Sequence, residues 1–260
     1  MPTHSVSIIV PAYNEERRLP RLLAALERDA PDALARAGLR LDEVIIVDDG
    51  STDGSAPLLD AYGSGSVRFA VVRFESNRGK GAAVGAGAMA AGSDRLLVTD
   101  VDLSVPLEDV AVLARVLDDG ADVAIASRSL PGSNVIIHQP RYRELMGKTF
   151  NLMLRALTGL PYRDTQCGFK LFRRDAAHRL FALRRVDGFA YDAELCVNAR
   201  SLGLRVAEVP VRWRNDPQTH VALVWSSVQM ALDLLRIAWR ARRPLGEAAA
   251  VEATPPRASA

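Results

Sequence analysis

Cysteine is nearly absent: Cys167 and Cys196 are the only two among 260 residues, which gives neither a disulfide framework nor a zinc-ligand spacing. An excess of either charge is also missing. Thirty-three Lys and Arg face 31 Asp and Glu for a formal net charge of +2, so no nucleic-acid partner is expected and any charged ligand must be met locally. The histidines His4, His138, His178 and His220 fall in no Ser/His/Asp or zinc pattern. Long apolar runs are lacking too, since VALVWSSVQMAL, Val221 to Leu232, is well short of the roughly 20 residues of a spanning helix. The opening MPTHSVSIIVPAYNEE has neither a basic n-region nor a long apolar h-region, which predicts a cytosolic, reduced protein without a transmembrane span. Two familiar phosphate fingerprints fail as well. In NRGKGAAVGAG the glycines fall at 79, 81, 85 and 87, and Lys80 precedes Gly81. That is neither Gly-x-Gly-x-x-Gly nor a P-loop, which needs Ser or Thr after its Lys.

What is present is a 48% hydrophobic chain, enough for one sizeable core. The runs VSIIVP, EVIIVD, VRFAVVRF, RLLVTD and DVAIAS alternate with helical stretches, which predicts βα units around a mostly parallel sheet flanked by helices. Asn14 is the expected N-cap of the first helix, with Glu15 and Glu16 in its first turn, and Pro106 is expected to open another. The second half predicts a helix over RYRELMGKTFNLMLRALTG closed by Gly159, a helix from Tyr191 to Leu202, one strand RVAEVPVRW and a last helix from His220 to Arg240. One domain over residues 5–240 is expected, followed by a disordered tail over 241–260, GEAAAVEATPPRASA being poor in core-forming residues.

Polar or charged clusters follow the first four strands in turn: AYNEE, DDGSTD, ESNRGKG and DVD. Ligands of open α/β sheets bind beyond the carboxyl ends of the strands, so all four are expected to face one site. In DVD, Asp100 and Asp102 point to one side of an extended segment and repel unless a cation or proton relieves them. Hard oxygen ligands suit Mg²⁺ or Mn²⁺; alternatively Asp102 and Ser104 are polar helix-start groups. Asp48 and Asp49 can accept from a base or ribose, or simply cap and turn. Tyr13 can stack on a base and Glu15 can accept hydrogen bonds, unless Asn14 and Glu15 serve only helix initiation. Lys80 approaches negative charge or is merely solvated. Arg128, Arg141 and Arg143 are suited to bidentate phosphate recognition, though surface arginines are common. Asp164 belongs to an Asx-turn or to the crevice. In the terminal helix, Val221, Val224, Trp225, Val228, Leu232, Leu235 and Trp239 recur at helical spacing, with Arg236, Arg240, Arg242 and Arg243 near its end. That stripe packs on the core or docks on anionic lipid.

The set IIVPAYNEE, VIIVDDGSTDGS, NRGKGAAVGAG, VTDVDLSVPLED, ASRSLPGS, QPRYRELMGKTFNLML, RDTQCGFKLFRR and YDAELCVNARSLGLRVAEVPVRW resembles glycosyltransferase family 2, in its branch of dolichyl-phosphate or polyprenyl-phosphate β-glucosyltransferases. The resemblance covers about Val6 to Arg240. It implies a GT-A nucleotide-diphospho-sugar transferase fold, Mg²⁺ or Mn²⁺ at the Asp-x-Asp motif, and inverting transfer from a UDP-sugar, UDP-glucose above all, to a polyprenyl phosphate at the cytoplasmic membrane face. Carried over by position, Pro11, Tyr13, Glu15, Asp48 and Asp49 hold the nucleoside, Lys80 lies near the nucleotide, Asp100 near the ribose or donor sugar, and Asp102 on the metal. Arg128, Arg141 and Arg143 meet the acceptor phosphate, and Asp164 sits at the reacting centre. Two departures stand out: Val101 replaces the usual Ala of Asp-Ala-Asp, and Thr219 and His220 stand where a Ser-Lys pair is usual near the acceptor. A family member using a small soluble or protein acceptor, and a catalytically silent sugar-nucleotide-binding protein, are the alternatives.

Overall fold

Strands buried on both faces read as unbroken apolar runs, as in β1 (His4–Ala12), β2 (Leu39–Asp48), β4 (Arg95–Val98) and β5 (Val123–Ser127), while β3 (Arg68–Arg73) is an exposed edge strand. The computed structural model describes residues 4–62, 67–137, 139–216 and 223–242, with backbone alone at Arg141, Arg143 and 223–228. β1 pairs in parallel with both β2 and β4 and so lies inside the sheet. Its residues alternate between two apolar layers. Ile8 and Val10 meet α1 (Leu19–Arg28), α2 (Ala30–Arg36) and α5 (Val110–Asp118) on one side. Ile9 meets α4 (Lys80–Ala90), α7 (Arg174–Ala182), α8 (Tyr191–Ser201) and α9 (Leu223–Ala241) on the other. Helix α4 approaches the sheet closely because Gly87 has no side chain: a Cβ there would stand 2.5 Å from Ile9 Cγ2.

Four details differ from expectation. Asn14 does not cap a helix; it adopts φ 55°, α1 begins only at Leu19, and Arg18 precedes it without a side-chain cap. Pro106 leads into a single 3-10 turn, Leu107–Asp109, before α5. The segment KLFR, inside RDTQCGFKLFRR, is a strand, β7 (Lys170–Arg173), antiparallel between β4 and β5. RVAEVPVRW is two strands: β8 (Val206–Pro210) continues the main sheet beside β5, and β9 (Arg212–Arg214) pairs with β6 (Asn134–Ile137) in a separate ribbon. Pro210 lacks the N–H needed to prolong a ladder, and the chain switches sheets there.

The main sheet has the order β3-β2-β1-β4-β7-β5-β8. Helix α6 (Arg141–Thr158) ends as expected at Gly159, φ 69°, the left-handed closure a glycine favours. Burial pushes the Cys167 and Cys196 thiols up to about 11 and about 12, so both stay protonated and unreactive near neutrality. Among the described residues no helix is long and apolar enough to cross a membrane. His138, Thr219, His220, Val221 and Arg243 lie outside the described residues, as does the tail from 243 onward.

Candidate functional site

The loops after β1 and β2 are bound into one unit. Asn14 donates its N–H to Ser51 Oγ at 3.0 Å and accepts the Thr52 N–H at 2.8 Å, contacts its left-handed backbone makes possible. The Glu15 N–H donates to Ser55 Oγ at 2.8 Å, and Glu16 accepts the Gly54 N–H at 2.8 Å. Tyr13 is exposed at the mouth, beside Pro11 at the end of β1. Burial pushes the Glu15 carboxyl up despite Arg18, which grips both its oxygens at 2.5 Å.

The two acids at the end of β2 organise protein before they meet any ligand. Asp48 accepts the Ser51 N–H at 2.9 Å and Arg73 Nε at 3.1 Å. Asp49 accepts the N–H groups of Arg78 at 2.7 Å and Gly79 at 2.9 Å, and Asn77 Nδ2 at 3.0 Å. Burial pushes the Asp49 carboxyl up against those bonds. Gly50 permits this folding back: a Cβ on it would lie 2.4 Å from the Ser76 carbonyl carbon. The third loop is thereby hung from the second.

That loop delivers Lys80, the first residue of α4, whose Nζ lies 2.6 Å from Asp100 Oδ1. Two residues on, Asp102 accepts the Ser104 N–H at 2.9 Å next to Leu103, which is held at φ 49°. Strained backbone of this kind collects at functional sites. Burial, and then the Asp100 carboxylate, push the Asp102 carboxyl up. Nearby cations are already matched: Lys80 with Asp100 at 2.6 Å, Arg128 with Asp164 at 2.7 Å, Lys170 with Asp192 at 2.5 Å. Among the described residues no Lys or Arg pairs with Asp102. An acid that Lys80 and Arg18 reach only through space, each being held by another carboxylate, fits a divalent cation. No group of three His, Cys, Asp or Glu able to hold a metal occurs among the described residues. Mg²⁺ and Mn²⁺ need only one or two protein carboxylates and complete the shell with phosphate and water.

Asp164 is buried and held. Burial alone would raise its pKa, but Arg128 draws it below the usual carboxylate range, through Nε at 2.7 Å, Nη2 at 2.9 Å and its backbone N–H at 3.0 Å. The guanidinium carbon lies 5.5 Å from the Trp213 ring centroid. The ribbon carrying Trp213 also reaches the Asp102 loop, where the Arg214 N–H donates to Ser104 O at 2.9 Å. Arg141 and Arg143 begin α6, but their side chains lie outside the described residues.

The structure thus brings Glu15, Asp48, Asp49, Lys80, Asp100, Asp102, Arg128 and Asp164 to one rim of the sheet. It adds Gly168, Lys170 and Asp192, which the sequence did not single out. A Cβ on Gly168 would fall 2.0 Å from Asp100 Oδ2. Gly168→Ala is therefore expected to push Asp100 off Lys80 with the fold retained, raising the acylation rate of Lys80, which peptide mass spectrometry beside a thermal melt would measure.

A family model, Glycosyl transferase family 2, matches residues 7–181, the stretch that carries all four clusters, Arg128, Asp164 and Lys170. The chain belongs to this family. It is a glycosyltransferase, and its sheet and helices form the GT-A fold. Among curated relatives, human dolichyl-phosphate beta-glucosyltransferase is 34% identical over 249 residues, covering 92% of this chain and 76% of the relative. The Drosophila melanogaster protein of the same name is 35% identical over 258 residues, covering 92% and 78%. Among solved structures, Mycobacterium tuberculosis glucosyl-3-phosphoglycerate synthase with Mn²⁺, UDP-glucose and glycerol 3-phosphate superposes with a TM-score of 0.67. It is 22% identical and covers 91% of this chain and 80% of that one, a likeness of fold.

Proposed function

We propose that residues 5–240 form one catalytic domain that transfers glucose from UDP-glucose to a polyprenyl (dolichyl-type) phosphate, with inversion at the anomeric carbon and with Mg²⁺ or Mn²⁺ as cofactor. The observation that carries this reading is Asp102 itself: it forms no ion pair among the described residues, while Lys80, Arg128, Lys170 and Arg18 around it are engaged by Asp100, Asp164, Asp192 and Glu15. The names of the relatives support glucose, the β linkage and the lipid phosphate. A β-linked product from an α-linked nucleotide sugar is a single inversion.

Tyr13 stacks on the base in this scheme. Pro11, Glu15, Asp48 and Asp49 wall the nucleoside cleft, Asp48 by holding the Ser51 turn and Asp49 by fixing residues 77–79. Asp100 orients the ribose or donor sugar, and Lys80 turns toward the diphosphate. A cation on Asp102 would neutralise charge on the departing diphosphate. Arg128, Arg141 and Arg143 offset repulsion between acceptor phosphate and donor. A phosphomonoester has a second pKa of about 6, so the acceptor is already mostly dianionic at neutral pH and needs no strong general base. Asp164, with both oxygens on Arg128, accordingly serves to aim that guanidinium.

The acceptor's lipid tail requires an apolar surface, and α6 packs against α9 with such residues outward. Leu145 and Leu152 on α6 are each 66% exposed, and Leu235 and Trp239 on α9 are 53% and 56% exposed; Arg236 and Arg242 are exposed alongside. Peripheral docking on the cytoplasmic membrane face through this surface is part of the proposal. Leu235→Glu/Trp239→Glu is expected to weaken affinity for anionic vesicles, read by sedimentation, at least about a hundredfold, since each apolar side chain withdrawn from the interface is worth about 1.5–3 kcal/mol, without loss of UDP binding.

The deciding experiment incubates purified protein with labelled UDP-glucose and a divalent cation, with polyprenyl phosphate, polyprenol or glycerol phosphate as acceptor. Labelled lipid formed only from polyprenyl phosphate, with matching UDP release, is the expected result. Transfer to the soluble phosphate instead would overturn the lipid assignment.

A further inference from the structure

The Lys80–Asp100 contact abuts a second ion pair that the proposed reaction does not use. Lys170 Nζ lies 2.5 Å from Asp192 Oδ1, with side chains only 2% and 4% exposed, and it also donates to the Cys167 carbonyl at 2.5 Å. Lys170 opens β7 and Asp192 stands in the first turn of α8. That turn touches the one bearing Lys80: a Cβ on Gly81 would stand 2.6 Å from Tyr191 Cβ. Neither charge reaches the surface, so neither is available to a ligand. Nor is such a pair a good source of stability, because desolvating two charges offsets their attraction and an apolar replacement of like volume is often as stable.

The four charges admit two pairings. Asp192 attracts Lys80 as well as Lys170, and Lys170 attracts Asp100 as well as Asp192. The observed arrangement keeps Lys80 at the rim, 20% exposed, on an Asp100 that is 32% exposed. The other would draw Lys80 inward onto Asp192 and leave Asp100 turned toward Lys170. Gly168, whose missing side chain is what lets Asp100 lie where it does, favours the first.

Resting on the nucleotide-sugar reading, we propose that the buried Lys170–Asp192 pair is a positioning device for the donor site. It holds Lys80 on Asp100 at the rim by occupying the two groups that would otherwise capture them. Lys170 and Asp192 touch no substrate; they act through Lys80 and Asp100.

The proposal makes opposite demands on two neighbouring variants. In Lys170→Met, Asp192 loses its partner and captures Lys80, which withdraws. In Asp192→Asn, Lys170 turns to Asp100 and Lys80 is released toward solvent. The test is trace acylation of Lys80 with acetic anhydride, read by peptide mass spectrometry on the folded full chain, beside UDP titration with Mg²⁺. The Lys80 labelling rate is expected to fall at least threefold in Lys170→Met and to rise at least threefold in Asp192→Asn, while UDP affinity drops about tenfold in both, the scale of coupling within one charge network. A purely structural role would loosen the site and raise labelling in both. Shifts of the same sign, or no shift, overturn the proposal; Lys170→Gln replaces Lys170→Met should the latter fail to fold. Opposite shifts in a protein whose wild type binds no UDP would uphold the positioning role and sink the nucleotide-sugar reading instead.

Discussion

Asp102→Ala is expected to lower UDP-glucose turnover at least about a thousandfold while the protein stays folded. The several kcal/mol a catalytic cation contributes to a departing diphosphate corresponds to that factor. The fold should tolerate the change because burial and Asp100 already make the Asp102 charge unfavourable. Its carboxyl titrates above its unfolded value, so ionisation costs stability at neutral pH, and removing it relieves that cost. UDP release in Mg²⁺ and Mn²⁺, together with a thermal melt, checks both halves. Affinity for UDP should also lose its dependence on the cation. Near-normal turnover in the variant would remove Asp102 from the metal and leave the site without its organising charge.

The second large effect concerns Arg128. Arg128→Ala leaves the Asp164 carboxylate buried without its cation, and breaking such a pair costs about 3–5 kcal/mol, a fall of roughly 10 °C in the unfolding midpoint at this chain length. Turnover with a phosphate acceptor should fall with it by at least about a hundredfold, as for loss of an aligned transition-state donor. Arg128→Lys keeps the charge but not the fork, so it should recover much of the stability and little of the rate. The pair also shapes the acid limb. Asp164 has a folded pKa below its usual 3.8, so its contribution is complete above the unfolded pKa and is lost as pH falls through the folded one. Below pH 4 the wild type should therefore lose stability more steeply than Asp164→Asn, as urea midpoints at successive pH values would reveal. An unchanged acid limb would contradict the pairing.

The sheet was legible where burial is continuous. VSIIVP, EVIIVD and RLLVTD announce themselves because both faces of those strands are covered. β7 was not, because in KLFR only Leu171 and Phe172 are apolar, between Lys170 and Arg173, so no apolar run shows. The division of RVAEVPVRW at Pro210 is invisible in the sequence because each half alternates in the same manner. Asn14 is ambiguous for a related reason: its residue type suits both a helix cap and a left-handed turn, and only its bonds to the loop of Ser51 and Thr52 decide between them.

The rim followed the same rule. Four clusters could be assigned to one site because each follows a strand, and parallel strands bring their carboxyl ends together. Lys170 and Asp192 had adequate local explanations, a basic residue entering a strand and an acid in the first turn of a helix. Their significance is a contact between positions 22 apart in the chain, and no spacing rule anticipates it. Gly168 was equally silent, since nothing local shows that Asp100 needs the space.

Because β7 runs against its neighbours, the chain arrives at the catalytic edge before that strand begins and leaves by the far edge. Residues 164–169 therefore contribute on the way in, whereas Arg174 emerges beside Asp94 and Gly92, on the side remote from substrate. Lengthening the connection ahead of Lys170 would remodel the pocket, and altering the exposed residues beyond Arg173 would leave it intact. In this transferase the direction of one short strand determines which of its two flanks selection can use to change what is bound.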